Sequence, residues 1–195
     1  RHAWVQGMDS HPDFFWGRAN GWALMTLVEI LEVLPESHPQ RAYLLDMLRA
    51  QIKALAALQS PEGLWHQLLD RNDTYLETSA SAIFCYAFAK AINRGWVDAQ
   101  AYGPAVLLAW NAVAAKVDAQ GMVQGTCVGT GMAFDPAFYA HRPVSPYAAH
   151  GYGPVLLAGA EVLRLLENFH PKMNDSAVQF YTHHFNTTAP IFEER

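Results

Sequence analysis

Apolar residues recur at helical spacing in five stretches of the chain, separated by loops rich in Gly, Pro, Asp and His. The first stretch predicts a helix over about residues 20–34, with Leu24, Leu27, Val28 and Leu31 on one face and Pro35 as the stop. A second helix is expected to start at Ser37-His38-Pro39, where proline suits a first turn. Its Leu44, Leu45, Leu48, Ile52, Leu55 and Leu58 form one stripe, with Arg41, Asp46, Arg49 and Lys53 on the other side, as in an amphipathic outer helix. The third, about residues 78–93, has no polar face from Ser79 to Ala91, which predicts burial on all sides. A fourth, about residues 101–117, is again mostly apolar around Trp110 and Asn111. The fifth, about residues 153–166, carries Val155, Leu156, Val162, Leu163 and Leu166. Beyond His170-Pro171 the periodicity fades, so residues 1–170 read as one helical unit and 171–195 as an extension or tail.

The loops repeat loosely. Ser60-Pro61-Glu62-Gly63 and Asp118-Ala119-Gln120-Gly121 each end an outer helix with a turn and a glycine, followed by a short extended run. The next helix then opens on small residues: Glu77-Thr78-Ser79-Ala80-Ser81-Ala82 in one case, His150-Gly151-Tyr152-Gly153-Pro154 in the other. The stretch from Trp16 to Trp22 is a third such entrance. Helix pairs that alternate in this way are expected to curve into a toroid, with the inner-helix N-termini at one mouth. The fold class expected is therefore all-α.

Composition narrows the function. A net charge of −5 with 16% charged residues offers no basic footprint for nucleic acid. Hydrophobic content is 51%, yet no apolar run approaches the roughly 20 residues needed to span a bilayer. Cys85 and Cys127 are the only two cysteines and give no disulfide framework or metal spacing; both are expected to be free thiols, Cys85 buried, which fits a reducing compartment. The histidines show no HExxH or other ligand spacing, so neither a metal nor a cofactor is expected. Arg1-His2-Ala3-Trp4 is unlike a native start, and the chain is expected to begin partway through a larger protein.

Candidate chemistry gathers at the entrances. Trp16 and Trp22 flank Arg18, Asn20 and two glycines at a loop-to-helix junction. Indole faces suit sugar rings, and a guanidinium offers a planar fork for a carboxylate. The alternative is aromatic packing at a helix start, with Arg18 in a surface ion pair. Helix N-termini converging on one cavity favour an anion, and an acidic sugar is the ligand that needs both features. Trp65, Tyr75, Tyr139, Tyr147 and Tyr152 lie on the same loops. His2, His66, His141 and His150 could hydrogen-bond hydroxyls there, although such histidines are often structural. Glu77 suits a helix N-terminus, while Asp70 and Asp73 read as turn residues. Gly129-Thr130-Gly131 reads as a tight turn, and no two carboxylates stand out as a glycosidase pair.

Four blocks follow in one order: residues 15–22 (Phe-Trp-Gly-Arg-Ala-Asn-Gly-Trp), 63–70 (Gly-Leu-Trp-His-Gln-Leu-Leu-Asp), 75–82 (Tyr-Leu-Glu-Thr-Ser-Ala-Ser-Ala), and Gly129-Thr130-Gly131 with His150-Gly151-Tyr152-Gly153. Over most of residues 1–167 this succession resembles the unsaturated rhamnogalacturonyl hydrolases of glycoside hydrolase family 105, relatives of the family 88 unsaturated glucuronyl hydrolases. The resemblance implies an (α/α)6 barrel that removes a 4,5-unsaturated uronic acid from small lyase-generated oligosaccharides by hydrating the vinyl ether. It implies that Trp16, Arg18 and Trp22 are substrate-subsite residues and that His2 is the active-site histidine; with them, Asn20, His66 and His150 complete the candidate substrate-binding set. The family's catalytic aspartate belongs to the half of the barrel preceding Arg1, and nothing in this chain matches it. The expectation is thus a C-terminal half, inactive alone, acting on imported oligosaccharides in the cytoplasm. Two other readings stay open: an acylglucosamine epimerase-like barrel using His66 and His150, and a non-catalytic toroid that binds a glycan or a protein.

Overall fold

The computed structural model describes residues 6–169; His2 and the expected extension over 171–195 lie outside the described residues. The elements run α1 Gly17–Val33, α2 Arg41–Ala56, β1 Trp65–His66, β2 Leu76–Glu77, α3 Thr78–Asn93, α4 Ala99–Ala114, α5 Pro136–Ala140 and α6 Tyr152–Phe169. All five expected helices are present. The third has the expected bounds, while the second starts later than expected: Pro39 sits in a turn closed by Arg41 N–H on the His38 carbonyl at 3.0 Å. The short α5 was not foreseen. It begins at Pro136 behind an Asp135 side chain that accepts from Ala137 N–H.

Helix α3 is the axis of the fold. Every residue from Thr78 to Ile92 is buried, with α1 and α6 packed on its flanks and α4 behind it. The α1–α3 pair is parallel: Gly17 abuts Ala80, Gly21 abuts Ile83, and at the far end Glu32 pairs with Arg94. Two glycines set this approach. A Cβ on Gly21 would stand 3.1 Å from Ile83 Cγ2, and one on Gly17 would stand 3.2 Å from the His66 carbonyl oxygen. Any larger residue at either position would push the helices apart.

The core lies between α3 and the outer helices. Trp65 is fully buried, its indole N–H donating to the Leu55 carbonyl at 2.7 Å and its ring meeting Phe84 and Phe88 edge-on. Burying side chains of this size contributes about 1.5–3 kcal/mol each. In α2 the expected stripe buries Leu48, Ile52 and Leu55, but Leu58 falls beyond the helix and is exposed. On α6, Val155, Ala158, Val162 and Leu165 face the core while Leu156 and Leu163 stay largely exposed, at 75% and 63%. These leucines mark one end of the inner row α1–α3–α6; Val33 at 80% exposure marks the other. No described helix is long and apolar enough to cross a membrane.

Candidate functional site

The three inner helices begin at one mouth, and the β1–β2 hairpin forms part of its wall. Trp65 pairs with Glu77 and His66 with Leu76, and Gln67 N–H donates to the Tyr75 carbonyl at 2.8 Å. Side chains alternate across such a hairpin, so Trp65, Gln67, Tyr75 and Glu77 share the inner face, and His66 and Leu76 the outer one.

Glu77 is the hub of the inner face. Fully buried, it caps α3: Oε1 accepts from Ser79 N–H and Ser79 Oγ–H, and Oε2 from Ala80 N–H. Oε1 also accepts from Cys127 N–H at 2.8 Å, which draws the loop after α4 into the mouth. Arg18 Nη1 stands 3.8 Å away and completes a buried ion pair. The arginine donates through Nη1 to the Cys127 carbonyl at 2.7 Å and Ser79 Oγ at 3.3 Å, and through Nη2 to the Val128 carbonyl at 2.8 Å and Thr130 Oγ1 at 3.5 Å. Each of its four terminal hydrogens thus has an internal acceptor. The free fork expected from the sequence is not available; with 1% exposure, Arg18 binds the loop over residues 127–130 and acts on the mouth through its charge.

Trp16 lies at the rim, its ring centroid 5.0 Å from the Arg18 guanidinium carbon and 5.2 Å from the ring of Tyr139. That contact is a cation–π pair. Trp22 sits one helical turn below Arg18 on the same face of α1 and is 39% exposed. Asn20 folds back, donating Nδ2–H to the Trp16 carbonyl at 2.8 Å, while its own carbonyl accepts from Gln51. His150, in the 3-10 turn that leads into α6, keeps an exposed ring but feels the hub. Partial burial first, then the Arg18 charge, hold its pKa below 6.5, with Glu77 opposing. Burial, then Cys127, push the Tyr75 hydroxyl well above its usual range.

The structure therefore gathers Trp16, Arg18, Asn20 and His150 at one mouth with Trp22 just below, but places His66 on the other side of the hairpin. The sequence alone gives no site role to Gln67 or Cys127, and it reads Glu77 only as a residue suited to a helix N-terminus. Gln67 is fully buried and donates to Cys127 Sγ at 3.3 Å and the Tyr139 carbonyl at 3.2 Å. The signal that could have revealed the group is the alternation itself: residues 65, 67, 75 and 77 fall on one face once the hairpin register is known. Among the described residues no group of three or more His, Cys, Asp or Glu side chains is placed to hold a metal ion.

A row of parallel inner helices, backed by outer ones and gathering polar groups at a common mouth, defines the chain as part of an α/α toroid of the kind built by carbohydrate-active hydrolases. A possible GH105 family member from Salmonella enterica superimposes with a TM-score of 0.77 at 35% identity, over 83% of this chain and 43% of that one. The chain belongs to Glycosyl Hydrolase Family 88, whose family model matches residues 1–166. It is 33% identical over 164 residues to an unsaturated rhamnogalacturonyl hydrolase of Bacillus subtilis, covering 84% of this chain and 46% of that protein. An unsaturated 3S-rhamnoglycuronyl hydrolase of Formosa agariphila is 33% identical over 155 residues, covering 78% and 40%. The chain thus spans less than half the length of these relatives.

Proposed function

We propose that this chain supplies the C-terminal, sugar-holding part of a hydrolase that removes a 4,5-unsaturated uronic acid from short oligosaccharides. Trp16 and Trp22 give the ring its aromatic surfaces. The starts of α1 and α6 bias the mouth toward a carboxylate, Arg18, its charge balanced by Glu77, holds the loop over residues 127–130 at that mouth, and His150 offers a hydroxyl partner. His2 takes the role of the family's active-site histidine, and Asn20 holds the Trp16 backbone in place. His66, across the hairpin, serves the mouth only through the wall it helps to form. The acid is an aspartate from a segment outside this chain. Its carboxyl group protonates C4 of the vinyl ether, and the resulting carboxylate takes a proton from the water whose oxygen bonds to C5. The hemiketal then opens and expels the remaining sugar. Such a group must be protonated when the substrate arrives, which requires surroundings that raise its pKa.

The observation that supports this reading most is the meeting of three inner-helix starts around Arg18 and Glu77, with an indole against the guanidinium. Family membership supports it independently. The 195-residue chain, mixed with an unsaturated uronyl disaccharide, is expected to leave the absorbance of the conjugated double bond unchanged. Robust loss of that absorbance would put the acid within this chain and overturn the division of labour.

A further inference from the structure

Beside the mouth, Cys127 bridges to Val144 and Val128 N–H donates to the Pro143 carbonyl at 3.1 Å, so the segment between them closes into one compact loop. Loops of this kind are packed by their own side chains. Here the packing residue is Tyr139, on α5, and it is fully buried. Its hydroxyl accepts from Ala133 N–H at 3.1 Å and donates to the Gly131 carbonyl at 3.3 Å, and its main-chain carbonyl accepts from Gln67 Nε2 at 3.2 Å. Its ring meets those of Phe14, Phe138 and Trp16 with centroids 5.0, 5.1 and 5.2 Å away. Phe14, Leu68 and Tyr139, with Trp16 against them, form a small apolar cluster separate from the core around α3.

The backbone of Trp16 is fixed without help from Tyr139. It is extended just before α1, bridges to Leu68, and its carbonyl accepts from the Asn20 side chain. The indole is a separate matter, because two side-chain torsions remain to be set. Two groups set them: the Arg18 guanidinium, 5.0 Å from the ring centroid, and the Tyr139 ring, tilted 48° to the indole. Arg18 is anchored at the start of the loop and Tyr139 near its end, so the indole is wedged between them. A side chain that is already ordered loses less freedom when a ligand arrives. We propose that Tyr139 is a positioning residue of the sugar mouth. Sealed from solvent, it touches no sugar, and it acts by holding the Trp16 indole in its binding orientation. This deepens the proposed function and rests on it, because it takes Trp16 to meet the sugar.

The test compares Tyr139→Met, which keeps apolar bulk without a ring, with Tyr139→Phe, which keeps the ring and loses the hydroxyl, each in the 195-residue chain. Two quantities are read by NMR: the affinity for an unsaturated uronyl disaccharide, and the order parameter of the Trp16 indole N–H in the free chain. Tyr139→Met is expected to lower that order and to weaken binding roughly fivefold, the cost of ordering one side chain on association. Tyr139→Phe is expected to keep the indole as ordered as in the parent and binding within about twofold, although its lost hydrogen bonds lower the melting temperature. A purely structural role would lower the melting temperature of both variants and spare Trp16. Should Tyr139→Met lose its cooperative melt, Phe14→Leu is read in its place, since Phe14 backs the Tyr139 ring. The proposal is overturned if that variant leaves either the Trp16 order or the affinity as in the parent, or if Tyr139→Phe weakens binding as much as Tyr139→Met. A parent chain that binds no disaccharide overturns the reading of the mouth instead, and the Trp16 order still decides whether Tyr139 holds the indole.

Discussion

Arg18 and Glu77 lie almost without solvent contact, and both are held by backbone groups as well as by each other. A buried pair of this kind adds little net stability. Losing one partner nevertheless costs about 3–5 kcal/mol, because it strands the other charge. The pair therefore serves to fix geometry, tying the loop over residues 127–130 to the starts of α1 and α3. His150 reports on this hub through its titration. Its folded pKa is lowered from 6.5, so the folded chain resists a proton that the unfolded chain accepts. The related stability is complete above pH 6.5 and declines as pH falls through the folded value. Two-dimensional NMR should place the His150 midpoint below 6.5. Thermal melts should show an acid-side decline that His150→Gln reduces; a midpoint at or above the ordinary value would contradict the geometry of the hub.

At the scale of elements, α1 and α3 approach through Gly21, whereas Gly103 in α4 has no atom within 4 Å of where a Cβ would stand. Alanine in an open helix interior gains up to about 1 kcal/mol over glycine, but Gly103 precedes Pro104, whose ring crowds a Cβ on the residue before it, so the gain from Gly103→Ala should fall well short of that. At Gly21 the same gain is opposed by crowding against Ile83, with overpacking costs of about 1–3 kcal/mol. Gly21→Ala should therefore destabilise by roughly 1 kcal/mol. Urea unfolding of the two variants measures both signs, and equal shifts would refute the close approach. The helices were legible in the sequence because their apolar periods are long and α3 lacks a polar face. The late start of α2 and the short α5 were not, since both turn on local caps and turns rather than on periodicity. The entrances were legible as small residues and indoles. The Glu77–Arg18–Cys127 hub joins residues 18, 77 and 127 through a hairpin register and a loop path that no local pattern encodes. His66 shows the same limit, being next to Gln67 in sequence but on the opposite face of the hairpin.

For the molecule as a whole, the described helices form a row, and the apolar residues at both of its ends remain open. Leu156 and Leu163 on α6 and Val33 on α1 are exposed, while α3 between them is sealed. Such ends suit further helical hairpins, in keeping with relatives of which the match covers 46%, 40% and 43%. The division proposed, with sugar binding on this chain and the proton donor elsewhere, makes binding and turnover separable. The most direct test is to titrate the 195-residue chain with an unsaturated uronyl disaccharide, following NMR signals and double-bond absorbance together. Saturable shifts at Trp16, Thr130 and His150 with unchanged absorbance are expected. An absence of shifts at those three residues would contradict the account.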